Sequence, residues 1–128
     1  MVGVCALVVL EGDDLVRVVG TSHYQAELLD LTGGRAGDEE IRVEKVALFV
    51  PEPDNPHDPN AIAIQIEGRL VGYLSRNENT RWLDVVTGHD VGAEAMIAGR
   101  KGTTGLGVFL RMPTPTEARA QIGIHSRR

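Results

Sequence analysis

Short apolar runs, each stopped by a turn signal before it reaches the length of a typical buried helix, constrain this chain more than any other feature. VCALVVL, LVRVVG, IRVEKVALFV, AIAIQI, RLVGYL, VGAEAMIAGR and TGLGVFLRM are rich in Val, Ile and Leu, with Gly, Pro, Asn or Asp between them. Such runs read as strands. IRVEKVALFV alternates at first and then turns continuously apolar, as a strand does on entering a core. Glu67-Gly68 is a compact hairpin signal between AIAIQI and RLVGYL. A turn at Lys101–Thr104 joins the last two runs into an antiparallel pair. LVRVVG reads as a second strand, or as the first one continued beyond EGDD.

Two helices interrupt the strands. Thr21 or Ser22 can cap HYQAELLDLTGG, where Tyr24, Leu28 and Leu31 fall at i, i+4 and i+7 and Gly33-Gly34 end the helix. Ser75 and Glu78 form an S-x-x-E capping box for the second, whose apolar face is Trp82, Leu83, Val85 and Val86, with Gly88 as its stop. Helices are therefore expected near residues 22–32 and 76–87. RAGDEE is a polar loop. From Pro113 the chain is Pro/Thr-rich and then basic, and reads as a partly mobile tail over 113–128. No βαβ alternation, internal repeat or domain-sized linker is visible. The expected fold is mainly β, a small, partly open OB/SH3-like β-barrel over residues 1–112 with two short α-helices covering its ends.

Composition narrows the setting. At 128 residues the chain is one domain, and with aromatics at 4% its core must be built from Val, Leu, Ile and Ala. Cys5 is the single cysteine, so no intrachain disulfide forms, and it reads as a buried inert thiol in a reducing compartment. VGVCALVVL has no basic n-region and runs straight into EGDD, unlike a signal peptide. No run approaches the roughly 20 apolar residues of a membrane span, so a cytoplasmic protein is expected. A net charge of −5 argues against a general nucleic-acid binder. The charge is uneven, however: residues 1–68 carry 13 acids against 4 bases, and residues 69–128 carry 5 against 9. One basic face can exist within that acidic total.

The most unusual stretch is PEPDNPHDPN, residues 51–60, with four prolines. Proline fixes its own φ and extends its predecessor, while Asn and Asp lock turns through nearby backbone N–H groups. The loop is either a rigid strand connector or a rigid holder for a ligand. DNPHDPNAIAI, followed by GRLVGYL and preceded upstream by VVGTSHYQ, resembles the signature of the HIRAN domain family over roughly residues 16–100. That resemblance implies an OB/SH3-like barrel, attached to DNA-remodelling helicases, nucleases and other repair proteins or standing alone in bacteria. It implies binding of single-stranded DNA at a free 3′-hydroxyl end, a role in DNA repair or replication-fork processing, and a helicase or nuclease as partner protein.

Carried over by residue, Asn55, His57 and Asp58 occupy the loop positions that touch the terminal nucleotide. Asp58 would accept a hydrogen bond from the 3′-hydroxyl, and His57 would stack on a base where helicase members carry Tyr. Tyr73 stands where those members often have His, and His23 and Tyr24 match a pair of Tyr positions. Ser22 replaces an Arg that grips phosphate, and Arg69, Arg76, Arg81, Arg100 and Lys101 are the bases available in its place. The chemistry is coherent without the family. A carboxylate repels phosphate but accepts from a hydroxyl, which suits a strand end. Aromatic and imidazole faces stack on bases for about 1–3 kcal/mol each. Asn60 and Asp54 read as turn residues.

Catalysis has little support in the sequence. His23, His57, His89, Asp54 and Asp58 match no standard metal spacing. GTTGLG (102–107) lacks the Lys of a phosphate loop and reads as a hairpin turn, and neither Ser22-His23 nor Ser75 belongs to a nucleophile–base–orienter set. No enzyme activity, metal or cofactor is expected. The reading from a different class is a peptide-binding SH3-like module, whose acidic N-terminal half would suit a basic partner. Oligomeric state is not legible in the sequence.

Overall fold

The computed structural model describes residues 7–34, 39–103 and 105–126. Cys5, the first residues of its run and Thr104 of the expected turn lie outside them. Seven strands appear among the described residues: β1 (Val8–Leu10), β2 (Asp14–Arg17), β3 (Ile41–Pro51), β4 (Ile62–Ile66), β5 (Arg69–Tyr73), β6 (Val91–Gly99) and β7 (Gly107–Met112). The helices are α1 (Gln25–Leu31), α2 (Arg76–Val86) and α3 (Pro115–Ser126), and a 3-10 turn, Thr21–His23, precedes α1. No helix among the described residues is long and apolar enough to cross a membrane.

The sheet runs β2-β7-β6-β3-β4-β5 with antiparallel neighbours throughout. β1 stands apart: it pairs in parallel with the start of β6, Val8 opposite Val91, so it does not continue into β2. The path then curls back on itself. Val19, just past β2, exchanges two backbone hydrogen bonds of 2.8 and 2.9 Å with Tyr73 at the end of β5. This isolated bridge is the seam of a small, partly open barrel. Gly72 makes the seam possible, because a Cβ there would lie 2.5 Å from Val18 Cγ1 and 2.6 Å from the Val19 carbonyl oxygen, at a φ of +155°.

Alternation along the strands becomes an inside and an outside. Ile62, Ile64, Ile66, Val71, Ile97, Val108 and Leu110 point inward and are fully buried, joined by Val18, Phe49 and Trp82. Each large side chain so buried contributes about 1.5–3 kcal/mol. The expected Glu67-Gly68 hairpin forms with φ of +51° and +78°, the left-handed pair of a type I′ turn that matches strand twist.

α2 starts where expected: Ser75 Oγ accepts from the Glu78 N–H at 3.4 Å, and Asn79, Trp82, Val85 and Val86 form its buried face. α1 begins differently from the expectation. Gly20, at φ +77°, turns the chain into the 3-10 segment, which leaves Tyr24 at the N-cap with no side-chain bond from Thr21 or Ser22. Gln25 anchors that helix instead, donating to the Leu106 carbonyl and accepting the Leu106 N–H at 2.9 and 2.8 Å. Gly33 and Gly34 close it as a Schellman motif, their N–H groups reaching the Asp30 and Leu29 carbonyls.

The larger difference is at the C-terminus, where the Pro/Thr-rich segment begins a third helix. Thr114 and Glu117 cap α3 reciprocally: the Thr114 N–H donates to Glu117 Oε1 at 2.9 Å and the Glu117 N–H to Thr114 Oγ1 at 3.1 Å. Pro115 sits at the first helical position, where its missing N–H is no loss. Ala118 and Ile122 are buried in the core, and α3 packs on β1 and α2. Gln121 bonds both the N–H and the carbonyl of Glu11, at 2.9 Å each.

Candidate functional site

The proline-rich loop leaves β3 and returns as β4, so its ends are tied by one rung: the Glu52 N–H donates to the Ala61 carbonyl at 2.9 Å. Inside that rung the polar side chains replace a ladder. Asn55 Oδ1 accepts from the N–H groups of His57 (2.8 Å) and Asp58 (3.2 Å), while its Nδ2 donates to Glu52 Oε1 at 3.0 Å. The Asp58 carbonyl accepts from Ala61 N–H, and Asp58 Oδ1 from Asn60 N–H at 2.9 Å. The three bonds that Asn55 Oδ1 and Asp58 Oδ1 accept from backbone N–H groups are turn locks of the kind Asn and Asp supply.

α2 fixes the loop from the other side. Asn79, 2% exposed, donates through Nδ2 to Asp58 Oδ2 at 3.0 Å. Both Asp58 oxygens are thus held in one direction, with lone pairs to spare, because a carboxylate accepts at about four sites. Asn79 Oδ1 has no partner, and it is the buried side-chain acceptor so placed among the described residues. Sequence reading missed Asn79, since a mid-helix Asn carries no local signal; its position three residues past the Ser75-Arg76 start, on the Trp82 face, is the trace it leaves.

These groups border an open groove of about 380 Å³ at the barrel seam, lined by Val19, Tyr24, Asn55, His57, Asp58, Ala61, Tyr73, Leu74, Arg76 and Asn79. Five of the six residues singled out in the sequence line it: Tyr24, Asn55, His57, Asp58 and Tyr73. His23 does not, but its ring meets Tyr24 edge-on, with centroids 6.4 Å apart and planes at 76°. A smaller hollow of about 230 Å³ continues past His57 and Asp58 toward Asn60 and Thr80.

Burial, a hydrogen bond to Glu52 and the neighbouring Tyr24 raise the Tyr73 phenol from 10.0 to about 12. Tyr73 is therefore a neutral donor at any physiological pH. Of the bases named as replacements for the phosphate-gripping Arg, only Arg76 lines the groove, its guanidinium 3.4 Å from the His57 carbonyl. Arg69 pairs with Asp30 and Arg81 with Glu78, while Arg100 lies elsewhere on the surface. No group of three or more His, Cys, Asp or Glu able to hold a metal occurs among the described residues.

A family model for the HIRAN domain matches residues 13–113, most of the chain. The chain belongs to the HIRAN domain family. Searches among curated proteins and among solved structures give no match. HIRAN domains are DNA-binding modules and are generally non-catalytic, so the seam groove is the site to weigh for DNA. The matched span begins after β1 and ends before α3, so both elements lie outside it.

Proposed function

We propose that this HIRAN domain binds single-stranded DNA at its free 3′-hydroxyl end, within DNA repair or fork processing and alongside a helicase or nuclease. The observation that carries the reading is the fixed Asp58 carboxylate, held by Asn60 and Asn79 in a groove that Tyr24, His57 and Tyr73 also line. Asp58 keeps lone pairs for a terminal hydroxyl. Tyr24, Tyr73 and His57 offer faces for the last bases, and Arg76 is the cation for the first internal phosphate. Glu52, bonded to Asn55 and Tyr73, adds a second carboxylate near the end pocket. A terminal phosphate would meet both.

The test compares oligonucleotides ending in 3′-hydroxyl and 3′-phosphate by fluorescence anisotropy. Wild type should favour the hydroxyl end by about tenfold or more. Asp58→Asn replaces a charged acceptor worth about 1.5–3 kcal/mol, so hydroxyl-end affinity should fall by roughly one to two orders of magnitude and end discrimination should shrink. The substitution also disturbs bonds to Asn60 or Asn79, so melting temperature is measured beside both affinities. Equal wild-type binding to the two ends would remove end recognition and leave Asp58 as a turn residue. Binding that ignores salt would favour the peptide-binding alternative.

A further inference from the structure

Arginines from both halves of the sequence, Arg17, Arg42 and Arg100, meet on the outer face of the sheet. Strand register sets Arg17 opposite Phe109, Phe109 opposite Met96, and Met96 opposite Glu44. One rung further, Gly107 faces Ala98 and Ala98 faces Arg42. Arg100, just past β6, rises beside that rung. All of these but Glu44, which pairs with Arg111, border an open groove of about 540 Å³, whose lining holds three arginines and the single carboxylate of Glu40. Glu40 neutralises little, because it lies 3.9 Å from Arg42 with both side chains at least 70% exposed. Arg17 and Arg100 make no ion pair among the described residues, whereas Lys45, Arg69, Arg81 and Arg111 are all paired.

The groove is also shaped for a flat group. Ala98, Gly105 and Gly107 leave the floor low around the half-buried Phe109 and Met96. An aromatic ring flanked by exposed guanidinium groups suits a base and its phosphates better than an acidic peptide, which offers nothing to stack. Furthermore, the groove lies near the seam site. Leu15, Arg17 and Val19 share the exposed face of one extended segment while Val18 between them is buried. Arg17 borders this groove and Val19 borders the other, about 7 Å away along the strand.

We propose that this outer groove is a second nucleic-acid site, binding phosphates and at least one base of the nucleotides that lie 5′ of an end held at Asp58. The direction of the strand rests on the end-binding reading above; the groove's affinity for nucleic acid does not.

The experiment measures anisotropy at several salt concentrations with single strands of about three and about twelve nucleotides, the longer within the site sizes such modules cover. Wild type and an Arg17→Ala/Arg42→Ala/Arg100→Ala variant are compared, with melting curves to show that both are folded. Wild type should bind the longer strand at least about tenfold tighter, and the variant should lose that gain. Its log–log salt slope should fall by about 2, at roughly 0.7 per single-strand phosphate contact. Affinity for the short strand should stay unchanged. An identical slope and affinity for the long strand in the variant overturns the proposal, as does a wild type that binds neither strand or gains nothing from length. A polyglutamate peptide that displaces the long strand at equal concentration overturns the nucleic-acid assignment. A 3′-phosphorylated long strand that binds like the 3′-hydroxyl one, yet still needs the arginines, refutes end recognition and leaves the groove standing.

Discussion

Tyr73 joins the barrel's closure to its site: its backbone pairs with Val19, and its phenol lies beside Glu52 and Tyr24. Burial, and after it the neighbouring Glu52 carboxylate, opposes loss of the phenol proton. The folded state therefore holds this proton up to about pH 12 while the unfolded chain releases it near 10.0. Linkage gives the sign: stability from this group is complete below pH 10, and falls as pH rises toward 12. Ultraviolet titration of tyrosinate, with Tyr73→Phe subtracted, should show an ionisation near pH 12 in native protein; one near 10 would mean that the phenol is neither buried nor bonded to Glu52. At this scale the sequence was a good guide to which residues gather but not to how they are held. Asn55 and Asp58 are turn formers by residue type, and the loop uses both as such. That Asp58 is also fastened by Asn79, 21 positions away, depends on a helix packed over the loop.

Elements with strong local signals formed where the sequence put them, and α3 shows what happens when a signal is overlooked. Thr114-Pro115-Thr116-Glu117 is a capping box with proline at the first helical position, and Ala118 and Ile122 follow at helical spacing. The Pro/Thr-rich composition hid it. Backbone and hydroxyl bonds from Thr114 lower the Glu117 carboxyl below its ordinary value, so the charged cap persists until pH falls past the usual carboxylate range. Thr114→Ala should destabilise the protein by about 1 kcal/mol, read in urea melts. Loss of the same size when Ala118→Ser puts a hydroxyl into the buried contact would place α3 in the cooperative unit. No change in either variant would make it an appendage. α1 teaches the converse: two candidate caps were present, yet Gly20 set the chain on a 3-10 path and Gln25 took over the anchoring through Leu106, 81 residues distant.

For the molecule as a whole, closure at the Val19–Tyr73 bridge is the decisive contact, since it holds the Tyr73 and Val19 walls of the groove together. Gly72→Ala would push a methyl into Val18 and the Val19 carbonyl. Overpacking of this kind costs about 1–3 kcal/mol, and DNA affinity should fall beyond what lost stability explains, because the seam itself is wedged. A variant that melts lower yet binds DNA as well as wild type would separate closure from function. The sequence by itself determined the β-rich class, the Glu67-Gly68 hairpin and the capped α2, because each rests on turn chemistry or periodicity within a few residues, and its motifs carried the resemblance to the HIRAN family. Only the tertiary structure decided that β1 pairs in parallel with β6, that the sheet closes at Val19 and Tyr73, that Arg76 rather than Arg69 or Arg81 enters the site, and that Arg17, Arg42 and Arg100 share one groove. Those outcomes depend on which distant strands become neighbours, and long-range register is set by how the whole core packs, a quantity no local window contains.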